Sequence, residues 1–125
     1  MFRVIEHPVI ASWTDQLRST GTSTEEFRRL VRQIGQLLVP SATEHLPTTE
    51  ITVHTPLAET TGRQLDGDTP VVVSILRAGN GLLDGVLQVL SDADVGFIGL
   101  ARDHESLEAV EYPVSYTHLT LPTKA

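Results

Sequence analysis

Val71-Val72-Val73-Ser74-Ile75-Leu76 is a β-branched run with little alternation, and Arg77-Ala78-Gly79-Asn80-Gly81 breaks it with two glycines. A run of that kind predicts a strand buried on both faces. Leu82, Leu83, Val86, Leu87 and Leu90 then recur at helical spacing, and Val95 to Ala101 reads as a second buried strand. Strand, glycine loop, helix and strand make a βαβ unit, which predicts a parallel sheet and an α/β class.

Ligands of open parallel sheets settle beyond the carboxyl ends of the strands. Arg77 directly follows the first run and Arg102 directly follows the second. Glycines at 79 and 81 would let backbone amides approach an anion, and the helix start adds its positive end. Two guanidiniums with fork geometry suit the oxygens of a phosphorylated ligand. The same pattern also serves as a plain strand-to-helix turn with two solvated arginines, and the residues alone leave both readings open. It is neither a P-loop with its lysine nor a GxGxxG fingerprint.

Working toward the N-terminus, Thr61-Gly62 and Asp66-Gly67 read as turns after a strand-like Ile51 to Val53, in a hairpin or an extended excursion. Phe27, Leu30, Val31, Ile34, Leu37 and Leu38 predict an amphipathic helix from Thr24 to Val39, ended by Pro40. Ser23 and Glu26 form its capping box. A strand or arm and a short helix over Ile10 to Leu17 precede it, with Trp13 as a packing residue.

Composition narrows the function. A net charge of −7 disfavours nucleic acid as a partner, because phosphate backbones call for a basic surface. The absence of cysteine removes disulfides, thiolate zinc sites and thiol nucleophiles. No apolar run is long enough to span a bilayer, so no membrane partner is expected and a cytoplasmic location is. The histidines at 7, 45, 54, 104 and 118 show no metal-ligand spacing. Asp103, Glu105, Glu108 and Glu111 read as solvated loop, although one could orient Arg102 or meet a metal bound with the ligand. Asp84 is placed in the first turn of its helix, where the dipole accounts for it. Ser74 lacks the context of a nucleophile elbow.

Val72 to Gly85 resembles the "PILRAG-G-DG" segment of uracil phosphoribosyltransferases. His7-Pro8, Thr22-Ser23-Thr24 with Phe27-Arg28, Ile34-Gly35, Leu46-Pro47, Thr55-Pro56-Leu57 and Arg102-Asp103-His104-Glu105 resemble the same family, in order. The likeness covers residues 1–112, and Ser74, Pro40-Ser41 and Ala101 depart from the usual family residues.

The resemblance implies a type I phosphoribosyltransferase fold with an N-terminal helical arm, its parallel sheet truncated after the first βαβ unit. It implies the joining of uracil to 5-phosphoribosyl-1-diphosphate, giving UMP and diphosphate. It also implies Mg2+ as cofactor and a homo-oligomeric parent. Arg77, Ala78, Gly79 and Arg102 match the family residues that bind phosphoribosyl diphosphate; no residue present is assigned a catalytic role or a metal. The alternative, a non-catalytic module like the pyrimidine-operon regulators, would show a basic face for RNA.

Residues 113–125 fit no family pattern, and Val114 to Thr123 resembles the translation of a transposase-type sequencing adapter. A non-native tail is therefore expected there, and the family's downstream phosphate loop and uracil-recognition segment are expected to be missing. A sheet without them is expected to leave a bare edge and an uncovered apolar face.

Overall fold

The computed structural model describes residues 2–112. The expected tail at 113–125 lies outside the described residues.

Helix α1 (Pro8–Arg18) opens with Pro8 in its first turn. His7 caps it, its Nδ1 accepting from the Val9 amide at 3.2 Å. Helix α2 (Thr24–Thr43) starts at the expected capping box: Ser23 Oγ accepts from the Glu26 amide at 3.1 Å, and Glu26 Oε2 accepts from the Ser23 amide at 3.4 Å. Its apolar stripe buries Leu30, Ile34 and Val39.

Pro40 does not end α2, which runs on to Thr43. Proline removes one helical hydrogen bond and crowds the carbonyl four residues earlier, and the turn beyond it is held from outside. Arg3 donates to the Ser41 carbonyl at 3.0 Å and pairs with Glu44, whose carboxyl it holds below the usual range by hydrogen bond and charge.

Strands β1 (Thr48–His54) and β2 (Glu59–Leu65) form an antiparallel hairpin. Its turn is Thr55 to Ala58, where Thr55 Oγ1 accepts from the Ala58 amide at 3.1 Å. Thr61-Gly62, read from sequence as a turn, lies inside β2 opposite Ile51 and Thr52. The glycine there makes room across the ladder, since a Cβ on Gly62 would stand 2.4 Å from Val53 Cγ2. The turn expected at Asp66-Gly67 is present, with Gly67 at φ +89°.

Strand β3 (Val72–Leu76), helix α3 (Asn80–Val89) and strand β4 (Val95–Arg102) form the expected βαβ unit. Strands β3 and β4 are parallel, with Val72 opposite Val95 and Leu76 opposite Gly99. A further strand, β5 (Ala109–Tyr112), pairs antiparallel with β4 and covers its far edge, so the sheet order is β3-β4-β5. The expected bare edge is the outer edge of β3, which no described strand pairs. Strands β3 and β4 are not buried on both faces: Ser74 is buried, while Val73 and Ile75 are 52% and 49% exposed. Helix α3 covers one face, and no described element covers the other.

The helices meet backbone to backbone. A Cβ on Gly85 would lie 1.9 Å from the Arg32 carbonyl oxygen, and one on Gly35 would lie 2.7 Å from that of Leu82. Gly85→Ala is expected to destabilise the chain by about 1–3 kcal/mol through overpacking, read as a lower thermal midpoint by circular dichroism. Gly21→Ala, whose Cβ would meet only Ser19 Oγ at 3.8 Å, is expected to leave the midpoint within a degree or so by the same physics. Equal midpoints for the two variants would refute the contact.

Candidate phosphate-binding site

The site is built at the carboxyl ends of β3 and β4. The chain leaves β3 at Leu76 and turns through Arg77, Ala78 and Gly79 into α3, and the Leu76–Arg77 peptide bond is cis. The turn is closed from within. The Gly79 amide donates to the Ile75 carbonyl at 2.8 Å, and the Asn80 amide donates to the Arg77 carbonyl at 3.2 Å. The Gly79 amide, expected to approach an anion, is therefore engaged in the turn. Gly79 is small because the turn is tight: a Cβ would fall 2.8 Å from both the Ile75 carbonyl and Ser74 Oγ. Gly81 answers to helix packing, since its Cβ would meet Val31 Cγ1 at 2.8 Å.

Arg102 is the last residue of β4 and pairs with Ala109 of β5. The register sets Leu76 level with Gly99, so Arg102 stands roughly 7 Å further along the sheet than Arg77. Strand alternation puts Arg102 on the side of Ile98 and Leu100, the face that α3 leaves open. Both arginines are exposed. Of the other arginines, Arg3 and Arg18 pair with Glu44 and Asp15, and Arg29 and Arg63 hydrogen-bond to Gln33 and Thr48, while Arg28 and Arg32 make no such contact among the described residues. Among the described residues neither Arg77 nor Arg102 takes part in an ion pair.

Arg28 and Arg32 were given no binding role in the sequence, where they fall within the core helix. One turn apart on α2, they line a cavity of about 600 Å³ with Phe27, Ala78, Asn80 and Asp84. Their four-residue spacing was the available signal. Asp84 stands in the second turn of α3, because the helix begins at Asn80 and not at Gly81 or Leu82.

The acidic run beyond Arg102 has a structural task. Asp103 accepts from Ser106 Oγ at 2.8 Å and from the Ser106 and Glu105 amides, closing the connection from β4 to β5. Those bonds, the Ser106 hydroxyl foremost, lower the Asp103 pKa. Among the described residues no three histidine or carboxylate side chains gather to hold a metal. No helix among them is long and apolar enough to cross a membrane.

The family model for uracil phosphoribosyltransferase matches residues 4–122. The chain belongs to the uracil phosphoribosyltransferase family. It is 44% identical over 112 residues to the uracil phosphoribosyltransferase of Fervidobacterium nodosum, covering 90% of this chain and 54% of that one. It is 48% identical over 109 residues to that of Rhodococcus jostii, covering 87% and 52%. The solved structure of the AQ2163 protein from Aquifex aeolicus superposes with a TM-score of 0.81 at 34% identity, over 90% of this chain and 54% of that one. The chain thus spans about half the length of the curated relatives it matches, and the expected α/β fold is observed, its sheet made mixed by antiparallel β5 after the βαβ unit. The family model's match also runs past Tyr112 into the segment expected to be a non-native tail.

A lowered Asp103 pKa stabilises the turn above the ordinary aspartate value of about 3.9. That stability is lost as pH falls through the depressed value. A carbon NMR titration is expected to place the Asp103 midpoint below the ordinary value, and Ser106→Ala is expected to raise it. An unshifted midpoint would show that the turn is held some other way.

Proposed function

We propose that this chain is the diphosphate-gripping part of a uracil phosphoribosyltransferase of pyrimidine salvage. The observation that carries the reading is a pair of arginines, Arg77 and Arg102, at the tips of adjacent parallel strands and without an ion pair among the described residues, in a chain of this family.

The reaction joins N1 of uracil to C1 of 5-phosphoribosyl-1-diphosphate. The C1–O bond to diphosphate breaks, its electron pair leaves with the diphosphate, and the N1 proton is lost to give UMP. Positive charge grows on the ribose ring as negative charge grows on the leaving group, so the demand on the protein is positioning and electrostatics. In this reading Arg77 and Arg102 hold the diphosphate and stabilise the charge that develops on it, while Ala78 and Gly79 shape the turn beneath. Magnesium enters as part of the substrate, chelated by the diphosphate oxygens, since Mg2+ binds through substrate phosphates with few protein ligands. The acidic balance of −7 speaks against a regulator that grips RNA. A cytoplasmic enzyme is the corresponding location.

Uracil recognition and the ribose 5-phosphate cradle are assigned to sequence beyond the part shared with the relatives. The 125-residue chain is accordingly expected to make no UMP from uracil and phosphoribosyl diphosphate, as followed by radiolabel or chromatography. It is expected to give calorimetric heat with magnesium phosphoribosyl diphosphate. Arg77→Ala and Arg102→Ala should each weaken that binding about tenfold to a hundredfold, the worth of a charge-assisted contact. UMP formation would refute the inactivity, and binding untouched by both replacements would refute the site.

A further inference from the structure

Ser74 is the buried polar side chain of the described core, 5% exposed within a strand otherwise made of valine, isoleucine and leucine. Burying a hydroxyl costs free energy unless it is bonded, and an apolar residue would fill the position without that cost. The hydroxyl is bonded: Ser74 Oγ lies 3.1 Å from Asn80 Oδ1, the first residue of α3. The same oxygen touches the turn from below, since it stands 2.8 Å from where a Gly79 Cβ would be. The Asn80 amide in turn donates to the Arg77 carbonyl at 3.2 Å. A two-step linkage therefore runs from the strand to the arginine, from the Ser74 hydroxyl through the Asn80 side chain and the Asn80 amide to the Arg77 backbone. The cap position of α3 is Gly79, which offers no side chain to its first amides.

We propose that Ser74 is a positioning residue: through Asn80 it fixes the Arg77–Gly79 turn in the shape that presents the Arg77 guanidinium to an anion. The inference rests on the reading of Arg77 as a diphosphate ligand, but its first link, the ordering of the turn, can be measured without any ligand. Neither Ser74 nor Asn80 touches the reacting atoms in this account. Their effect is on how often the turn is in its binding shape.

The test compares the 125-residue chain with Ser74→Ala, Asn80→Ala, the double variant, Ser74→Thr, which keeps a hydroxyl, and Thr69→Ala. The last removes another side-chain hydrogen bond near β3, from Thr69 Oγ1 to Asp92 Oδ2 at 2.9 Å, away from the turn. Amide hydrogen exchange by NMR at Gly79 and Asn80 is the first readout. Calorimetric affinity for magnesium phosphoribosyl diphosphate is the second, and the thermal midpoint tracks global stability. Ser74→Ala and Asn80→Ala are each expected to speed exchange at Gly79 and Asn80 by about five- to tenfold, the worth of one hydrogen bond. The double variant should be no worse than either single one, as for two members of one linkage. Affinity is expected to fall by a similar factor, Ser74→Thr to restore both, and Thr69→Ala to change neither.

Unchanged exchange at Gly79 in Ser74→Ala, or effects of the two single variants that simply multiply, would overturn the inference. So would Ser74→Ala effects no greater than those of Thr69→Ala. If exchange responds as expected while no variant, Arg77→Ala included, alters affinity, the diphosphate reading of Arg77 fails and the proposed positioning of an anion ligand falls with it. Loss of affinity on Arg77→Ala but not on Ser74→Ala overturns the positioning role alone.

Discussion

Two helix backbones in direct contact determine where everything else in this chain can stand. Gly35 on α2 faces the Leu82 carbonyl, and Gly85 on α3 faces the Arg32 carbonyl, at distances that leave no space for a side-chain carbon. Gly81 extends the seam toward the start of α3, against Val31. Removing side chains from a helix interface brings in backbone atoms, and packing at that density holds the two axes in one relation. That contact places the start of α3 over the end of β3 and leaves the Arg77–Gly79 turn to be shaped by its own hydrogen bonds.

The α/β class, the parallel pair, the capping box and the arginines at the strand ends were all legible, because each rests on local chemistry. Apolar runs, a glycine break and helical spacing needed no knowledge of distant residues. What sequence misread depended on neighbours. Pro40 stays helical because Arg3 holds the turn beyond it. Thr61-Gly62 is strand because Val53 fills the space across the ladder. Strand β5 escaped notice because the carboxylates around it disguised it as loop, and its pairing partner decides its state. The expectation of two buried faces failed for a related reason: the β-branched run at 71–76 fits a covered sheet, and only one cover is among the described elements.

The site was legible in its cations and not in its glycines. Guanidiniums at strand ends are visible from the order of residues, but which amides remain free is a matter of turn geometry. Gly79 and Gly81 are small because the Ile75 carbonyl and Val31 press against them. The role of Ser74 could not be read either, since its partner Asn80 is brought near only by the turn. Arg28 and Arg32 belong to the same lesson: a helical stripe reports what a helix buries and is silent on the helix end it faces.

The free guanidiniums sit on a body that is strongly acidic as a whole, with a formal net charge of −7. On the proposed reading an anion approaching from afar meets repulsion, and the two guanidiniums offset it only at close contact, since Asp103, Glu105 and Glu108 stand beside Arg102. Added electrolyte therefore acts in opposite senses on the two stages, easing the long approach and loosening the final grip. Association and dissociation rates should both climb with ionic strength, so that affinity measured at equilibrium would understate how strongly charge shapes the encounter.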